Sequence, residues 1–233
     1  MPQKRTSSVK MNSKLYVTDL PGLTPYSDGH RLQLETIERV KSGDASHTLI
    51  LLEHPPVITL GKNADAAGVV ASPERLQQFG VEVHRIERGG QATYHCPGQL
   101  VGYPIVNLHA LKLGAARYVH MLEEVLIRIC QHYDVAVRRI DGLTGIFTES
   151  GAKIGALGIR ISRGIAWHGF ALNVAPDLSG YNLIVPCGLT DTPLSRIADF
   201  VAVPPDMAEV KLTTARVFAD VFSLEQPLGI SKN

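Results

Sequence analysis

The second half of the chain carries the pattern that most constrains the fold. A long amphipathic segment, residues 115–133, has one apolar stripe at helical spacing. Four stretches with strand character then follow it in succession: 135–140, 145–148, 153–161 and 165–174. Only a few residues separate the last two, so they are expected to form a hairpin that turns near 162–164. This order does not alternate strand and helix regularly, which argues against a doubly wound parallel sheet.

Three further segments carry helix signals. Apolar residues recur at roughly helical spacing over 29–42 and again over 206–222. Ser72 and Pro73 are typical of the N-cap and the first position of a short helix, which Gly80 would close. The chain is therefore expected to place helices before, between and after its strands.

Strand signals also precede the long helix. Short apolar runs at 48–52 and 57–60 flank a Pro-Pro pair and are predicted to be two strands joined by a turn. Segments 81–86 and 100–106 add two more, and Pro104 indicates an edge or a bulge because proline has no N–H to donate. The pattern favours the α/β class of the α+β type: a single domain with a mixed β-sheet flanked by helices.

The domain is expected to span residues 14–227. Residues 1–13 are predicted to be a disordered tail, because they are polar and basic and lack the apolar core of a secretory signal; residues 228–233 are a second tail. A net charge of +1 argues against nucleic-acid binding, and no apolar run is long enough to cross a membrane. Three cysteines show no disulfide framework, which favours a reducing compartment and a cytoplasmic location.

Cys187 is a candidate nucleophile. It lies in the stretch Ile-Val-Pro-Cys-Gly-Leu, residues 184–189, and Lys153 precedes it at the start of a predicted strand. A thiol acts as a nucleophile in its thiolate form, which a nearby cation favours. The two residues therefore fit an acyl-transfer centre. Taken alone, the cysteine also fits a small buried residue and the lysine a solvated surface charge.

The segment 88–99, Arg-Gly-Gly-Gln-Ala-Thr-Tyr-His-Cys-Pro-Gly-Gln, is a candidate binding loop. Paired glycines let a ligand approach backbone amides, and Arg88 can bind a carboxylate, a phosphate or a phosphopantetheine arm. Tyr94 and His95 can place polar groups on an apolar pocket wall. A polar hairpin loop is the alternative, and the segment matches neither common nucleotide-binding glycine motif. His168 fits a catalytic or a buried, hydrogen-bonded histidine equally well.

Four blocks of the sequence resemble the lipoyl(octanoyl) transferase family, in matching order. They are LLEHPPVITLGKNA, RGGQATYHCPGQLVGYPI, KIGALGIRISRG with WHGFALNV, and IVPCGL. The resemblance implies an octanoyl-acyl carrier protein:protein N-octanoyltransferase, an acyltransferase of lipoate biosynthesis and protein lipoylation. It also implies a fold similar to the catalytic domains of biotin and lipoate protein ligases.

The same resemblance implies roles for individual residues. The nucleophile falls on Cys187, which would carry the thioester intermediate, and the assisting lysine falls on Lys153. Three stretches are implied to bind substrate: Arg88, Gly89, Gly90, Gln91, Ala92, Thr93, Tyr94 and His95; Ala156, Leu157 and Gly158; and Gly169, Phe170 and Ala171.

The implied partners are proteins. Octanoyl-acyl carrier protein would be the donor, and apo lipoyl domains of 2-oxoacid dehydrogenase complexes and the glycine cleavage H protein would be the acceptors. Because the donor is already a thioester, the resemblance implies no cofactor, neither ATP nor a metal. None of the nine histidines has the spacing of a recognisable zinc site, so no metal site is predicted. The chain is expected to act as a monomer, without nucleic acid or membrane partners.

Three other interpretations stay open. An ATP-dependent lipoate or biotin protein ligase would use a similar Arg-Gly-Gly loop and strand lysine but no cysteine. A lipoyl-domain amidotransferase would differ in its acyl donor, and a non-catalytic docking module would not become acylated. Cys96 stands where the resembled family usually has glycine; it is either a tolerated small residue or a redox partner for Cys187.

Overall fold

Strands dominate the element order of the protein. The computed structural model describes residues 14–43, 45, 47–65, 68–185, 192–225 and 231–232. The strands are β1 (Leu15–Leu23), β2 (His47–Glu53), β3 (Val57–Leu60), β4 (Glu82–Arg85), β5 (Ala92–His95), β6 (Gln99–Asn107), β7 (Val137–Arg138), β8 (Ile146–Thr148), β9 (Lys153–Ser162), β10 (Ile165–Asn173) and β11 (Ser231–Lys232). The helices are α1 (Tyr26–Ser42), α2 (Pro73–Gln78), α3 (Ala115–His132) and α4 (Met207–Phe222).

The strands form two sheets. The large sheet has eight strands in the order β11-β1-β2-β6-β10-β9-β8-β7. Strand β1 is parallel to β2 and β11, whereas the remaining neighbours are antiparallel. The small sheet has the order β4-β3-β5, with β4 parallel and β5 antiparallel to β3. The predicted mixed sheet is confirmed.

Helices cover both faces of the large sheet. Successive side chains of a strand point to opposite faces, and every residue of β2 from His47 to Leu52 is buried. Leu49 and Leu51 pack into a core with α3 and α4, whereas Ile50 and Leu52 pack on the other face with α1. No helix among the described residues is both long and apolar enough to cross a membrane.

Several predicted elements are confirmed. Strands β9 and β10 form the expected hairpin, with Ser162 opposite Ile165. Helix α3 covers the predicted apolar stripe, and its side chains Tyr118, Leu122 and Val125 are fully buried. Ser72 is the N-cap of α2, where its side chain accepts a hydrogen bond from the Arg75 amide at 3.3 Å. These features depend on local sequence, which explains why the sequence predicts them.

Of the two alternatives predicted for Pro104, a sheet edge or a bulge, the edge is wrong. Strand β6 is central, between β2 and β10. Its pairing with β10 is interrupted between Ala166 and Phe170, where the register would place His168 opposite Pro104. His168 has a left-handed φ of 54°, and its amide donates to Gln33 Oε1 of α1 at 2.9 Å. A break in the ladder therefore accommodates the proline inside the sheet.

The two strands predicted at 48–52 and 57–60, joined by a turn at the Pro-Pro pair, are confirmed. The two runs are strands β2 and β3, but β2 belongs to the large sheet and β3 to the small one. Strand β5 lies within the segment predicted to be a loop. It pairs with β3, and its inward side chains, Ala92 and Tyr94, are buried in the core of the small sheet.

Helix α4 offers a test of local stability. The Asp206 side chain caps its first turn by accepting from the Ala208 amide at 2.8 Å. Asp206→Ala is expected to lower the free energy of unfolding by about 1 kcal/mol. Urea unfolding measures this, with Asp206→Asn as the matched variant that keeps a cap acceptor. Equal losses in both variants would contradict the capping role.

Candidate active site

Lys153 lies on the wall of an open cavity of about 470 Å³ at the end of the β9–β10 hairpin. Its backbone is fixed from one side, because the Lys153 amide donates to the Pro193 carbonyl at 2.7 Å and its carbonyl accepts from the Ser195 amide at 3.0 Å. Its Nζ lies 5.5 Å from the centroid of the Phe147 ring. The rest of the wall is formed by Thr93, Gln99, Ile154, Gly155, Ala156, Ala171, Asn173, Tyr181, Thr192 and Leu194.

A second open cavity of about 510 Å³ adjoins the first. The two share Thr93, Ala156 and Ala171 as wall residues. Most of the predicted substrate-binding residues line the second cavity: Arg88, Gly90, Thr93, His95, Ala156, Leu157, Gly158, Gly169, Phe170 and Ala171. The fold thus brings the predicted lysine and the three predicted stretches to one continuous region between the sheets.

Four predicted residues lie outside the lining of these two cavities. The Gly89 amide donates to the Ile159 carbonyl at 2.9 Å, so it is committed to joining the loop to β9. Gln91 and Ala92 line a neighbouring hollow beside Val185. The ring of Tyr94 packs against Gly180, which has no room for a side chain. Their roles in substrate binding stay predictions.

Arg88 is buried and attaches its loop to the small sheet. Its Nε and Nη2 donate to Thr59 Oγ1 at 3.1 and 2.9 Å, and Nη2 also donates to the Thr59 carbonyl at 2.6 Å. Its Nη1 donates to the Gly89 carbonyl at 2.9 Å. A Cβ atom at Gly158 would lie 2.8 Å from Arg88 Cδ, so the glycine lets the arginine stem cross β9. The arginine therefore shapes the cavity wall by fixing the loop.

A buried polar chain links the second cavity to the backbone beside Lys153. His95 Nδ1 donates to Gln99 Oε1 at 2.7 Å, and Gln99 Nε2 donates to Asn173 Oδ1 at 2.9 Å and to Tyr181 Oη at 3.1 Å. Asn173 Nδ2 donates to the Ser195 carbonyl at 3.0 Å. Because each of these side chains is buried and hydrogen-bonded, the network holds the backbone after Thr192 in place.

Three histidines of this region are buried and neutral. Burial, which disfavours the charged form, lowers the pKa of His54 to about 4 and the pKa values of His95 and His168 to about 3. His54 Nδ1 bonds the Thr24 carbonyl at 2.6 Å, and its Nε2 bonds Tyr103 Oη at 2.7 Å. Since a carbonyl only accepts, the His54 proton is on Nδ1.

These pKa values predict a loss of stability in weak acid. An unfolded histidine titrates near 6.5, so below that pH the unfolded chain binds protons that the native chain does not. The stabilising contribution is complete above about 6.5 and is lost as the pH falls toward the native pKa values. Lowering the pH from about 7.5 to about 5.5 should reduce the free energy of unfolding by ~1 kcal/mol for each of the three histidines. Urea unfolding measures the loss, and three histidine ring signals should not titrate by NMR in this range; titration of all nine would contradict the prediction.

Cys187 lies outside the described residues, but the chain on either side of it is placed. Ile184 bridges to Val69, and the Val185 amide donates to the Gly68 carbonyl at 2.8 Å. After the gap, Thr192 lines the same cavity as Lys153. The described residues nearest to Cys187 in the sequence are therefore Val185, beside Gly68, and Thr192, on the wall of the Lys153 cavity.

Cys96 is part of the small-sheet core. Its thiol donates to the Asp177 carbonyl at 3.6 Å, and burial raises its pKa to about 12. Cys130, on α3, is also buried, and its pKa is raised to about 12. Both thiols are thus largely protonated near neutral pH. The pairing of Cys96 with Cys187 under oxidation stays a hypothesis.

Sequence reasoning missed cavity residues that come from distant elements. Tyr26, from the start of α1, lines the second cavity with Val101 and Tyr103 of β6. Alternation along β6 would have placed Val101 and Tyr103 on one face, whereas nothing in the sequence indicates where Tyr26 lies. In the described part of the chain, one group of three potential metal ligands also converges: His30, Glu87 and His168.

Comparisons with known proteins define the family. Residues 25–219 match the lipoyl protein ligase A/B catalytic domain. Relatives named octanoyltransferase include one from Nostoc sp., 45% identical over 88% of this chain and 90% of its own, and one from Acidobacterium capsulatum, 45% identical over 86% and 87%.

Solved structures show the same fold. A bipartite lipoate protein ligase from Thermoplasma acidophilum has a TM-score of 0.71 at 18% identity over 96% of this chain and 87% of its own. A lipoate-protein ligase A bound with ATP has a TM-score of 0.70 at 17% identity over 96% and 89%. The family match over residues 25–219 and the relatives at 45% identity show that the chain belongs to the lipoyl protein ligase A/B catalytic domain family and, within it, to the octanoyltransferases.

Proposed function

We propose that this acyltransferase moves an octanoyl group from octanoyl-acyl carrier protein to the acceptor lysine of lipoyl domains, through a thioester on Cys187. The observation that carries the proposal is the cavity that Lys153 and Thr192 share, since Thr192 follows Cys187 closely in the sequence. This cavity adjoins the one lined by the predicted substrate-binding stretches. An amine, a thiol and an acyl-binding surface would then meet at one place.

The proposed reaction has two acyl transfers. The Cys187 thiolate attacks the octanoyl carbonyl, the bond to the phosphopantetheine sulfur breaks, and that sulfur leaves as a thiolate that takes up a proton. The amine of the acceptor lysine then attacks the Cys187 thioester, loses a proton and forms an amide, while Cys187 leaves as a thiolate. Lys153 would stabilise the thiolate as a cation and move protons at its Nζ.

The second cavity suits an apolar chain. Seven carbons beyond the carbonyl would contribute roughly 5–6 kcal/mol of transfer free energy at ~0.8 kcal/mol for each buried CH₂. Leu157, Phe170 and Val101 supply apolar wall surface. Such a free energy selects octanoyl over much shorter groups, whereas rejection of longer groups requires a closed end of the cavity.

The reaction also requires a donor for the tetrahedral oxyanion. The Gly89 amide is not a candidate for this role, because it already donates to the Ile159 carbonyl.

The chemistry proposed here uses neither ATP nor a metal ion, because a thioester donor is already activated. The acceptors would be apo lipoyl domains of 2-oxoacid dehydrogenase complexes and the glycine cleavage H protein. The chain would act as a monomer. A nucleophilic thiol requires a reducing compartment, which favours the cytoplasm.

Mass spectrometry tests the proposal directly. The full chain is mixed with octanoyl-acyl carrier protein in the absence of ATP, and an octanoyl adduct that hydroxylamine removes is expected on Cys187. Addition of an apo lipoyl domain should discharge the adduct and octanoylate the acceptor lysine. Cys187→Ala should form no adduct, whereas Cys96→Ser should form it normally because Cys96 is buried and protonated.

Three outcomes would contradict the proposal. Unchanged octanoylation of the lipoyl domain by Cys187→Ala would exclude the thioester. Transfer that needs ATP and free octanoate would instead indicate a ligase. Transfer from an octanoylated lipoyl domain, but not from carrier protein, would indicate an amidotransferase.

A further inference from the structure

A group of three side chains outside the proposed reaction converges beside the second cavity. His30 comes from α1, Glu87 follows β4, and His168 comes from β10. One nitrogen or oxygen atom from each lies within 4.8 Å of the others, and His30 Nε2 lies 3.5 Å from Glu87 Oε2. The proposed acyl transfer assigns no role to His30 or Glu87.

One ring nitrogen of His168 lacks a hydrogen-bond partner among the described residues. His168 is only 2% exposed, and its Nε2 is buried without a hydrogen bond to any described residue. His30 Nε2 is buried and without a hydrogen bond as well. A buried polar atom without a hydrogen bond is costly, so the His168 nitrogen, beside the His30–Glu87 contact, points to a group that completes it.

The backbone holds His168 toward α1. Ala166 and Phe170 belong to the core under α3, and strict alternation would place His168 on that same face. The left-handed φ of His168 interrupts the alternation, and its ring stacks on Trp167, with the centroids 4.2 Å apart. The amide bond to Gln33 fixes this arrangement. The unpartnered nitrogen is therefore preorganised rather than free to turn to solvent.

The donor set identifies the class of ligand. Two imidazole nitrogens and a carboxylate match the three protein ligands of a zinc site with an open fourth position, whereas Mg²⁺ and Ca²⁺ prefer oxygen. Burial keeps His168 unprotonated, as a metal ligand must be, by lowering its pKa to about 3. An anion would be repelled by Glu87.

Charge and access also bear on the site. The guanidinium groups of Arg88 and Arg160 act on His168 and oppose a cation. The Glu87 carboxylate favours one. Glu87 is 49% exposed and His30 24% exposed, which gives an ion a route from solvent. The His30 and His168 rings are nearly parallel, at 11°, so ligation requires His30, the more exposed of the two, to rotate.

We propose that His30, Glu87 and His168 form a binding site for a divalent transition-metal ion of the zinc class. His168 also lines the second cavity, so the site borders the proposed acyl-binding surface, whereas the proposed Lys153 and Cys187 chemistry uses no metal.

Cobalt spectroscopy tests the site. Co²⁺ is titrated into the untagged full chain, its visible absorption is followed, and Zn²⁺ is added to displace it. One ion per chain is expected, and both His30→Gln and Glu87→Gln should weaken binding by ~10-fold or more. His84→Gln and Glu82→Gln are the matched controls and should bind as the parent does. They remove a surface His–Glu pair with a 2.8 Å contact, to which no third ligand converges in the described part of the chain.

A further variant excludes binding by the nucleophile. Cys187→Ala should bind Co²⁺ with unchanged affinity and without a thiolate absorption band. Loss of binding in Cys187→Ala, unchanged binding in His30→Gln and Glu87→Gln, or no saturable binding in the parent would each overturn the proposal. Urea unfolding midpoints, measured in the presence of a chelator, show whether each variant folds. If His30→Gln does not fold, Glu87→Gln still tests the site, because Glu87 is half-exposed.

Discussion

Replacing Lys153 with methionine is expected to slow octanoyl transfer by ~100-fold or more. The methionine keeps an unbranched apolar stem in the half-buried space beside Phe147 but removes the amine from the cavity. Without that cation the Cys187 thiolate is less stable, so the pH midpoint of Cys187 alkylation should rise by about 1 unit or more. Both quantities are measured on the native chain, where the raised pKa values of Cys96 and Cys130 limit alkylation at those sites.

Two variants separate the roles of the lysine. Lys153→Arg keeps the positive charge but cannot release a proton. Its alkylation midpoint should therefore stay near that of the parent, while transfer remains slow. Lys41→Met, on the exposed side of α1 beside Glu38, should change neither quantity. An unchanged alkylation midpoint in Lys153→Met would reject the activating role of Lys153.

Gly169→Ala is expected to lower the free energy of unfolding by about 3 kcal/mol. A Cβ atom on Gly169 would overlap the Gly102 carbonyl and Pro104 Cδ, and neither can move without separating β6 from β10. The φ of Gly169 lies outside the left-handed region, so steric overlap rather than backbone strain causes the loss. Because Gly169 also lines the second cavity, the variant that still folds should bind the acyl group poorly.

Urea unfolding measures the effect, with Gly114→Ala as the matched control. Gly114 is exposed at the start of α3, and an added Cβ there would meet no atom within 4 Å. Gly114→Ala should lower the free energy of unfolding by less than about 1 kcal/mol. Similar losses at the two glycines would show that β6 and β10 can separate at little cost, against the packing described here.

Local patterns predicted much of the fold correctly. The apolar stripe of α3, the Ser72 cap and the β9–β10 hairpin depend on residues close together in the chain, so a sequence contains them directly. Which strands pair with each other across the sheet is not determined by residues close together in the chain. The runs that became β2 and β3 have similar composition, yet their hydrogen bonds go to different sheets.

Some features of the candidate site could likewise be predicted from the sequence, and others could not. The sequence by itself determined which residue types could perform acyl transfer, because the chemistry of a thiol, an amine or a glycine-rich stretch follows from residue type alone. Only the tertiary structure decided that Lys153 and Thr192 share a cavity, that Arg88 is fastened to Thr59, and that His30, Glu87 and His168 converge. The physical reason is that sheet pairing and burial join residues far apart in the chain, and a left-handed turn at His168 opposite Pro104 cannot be inferred from spacing.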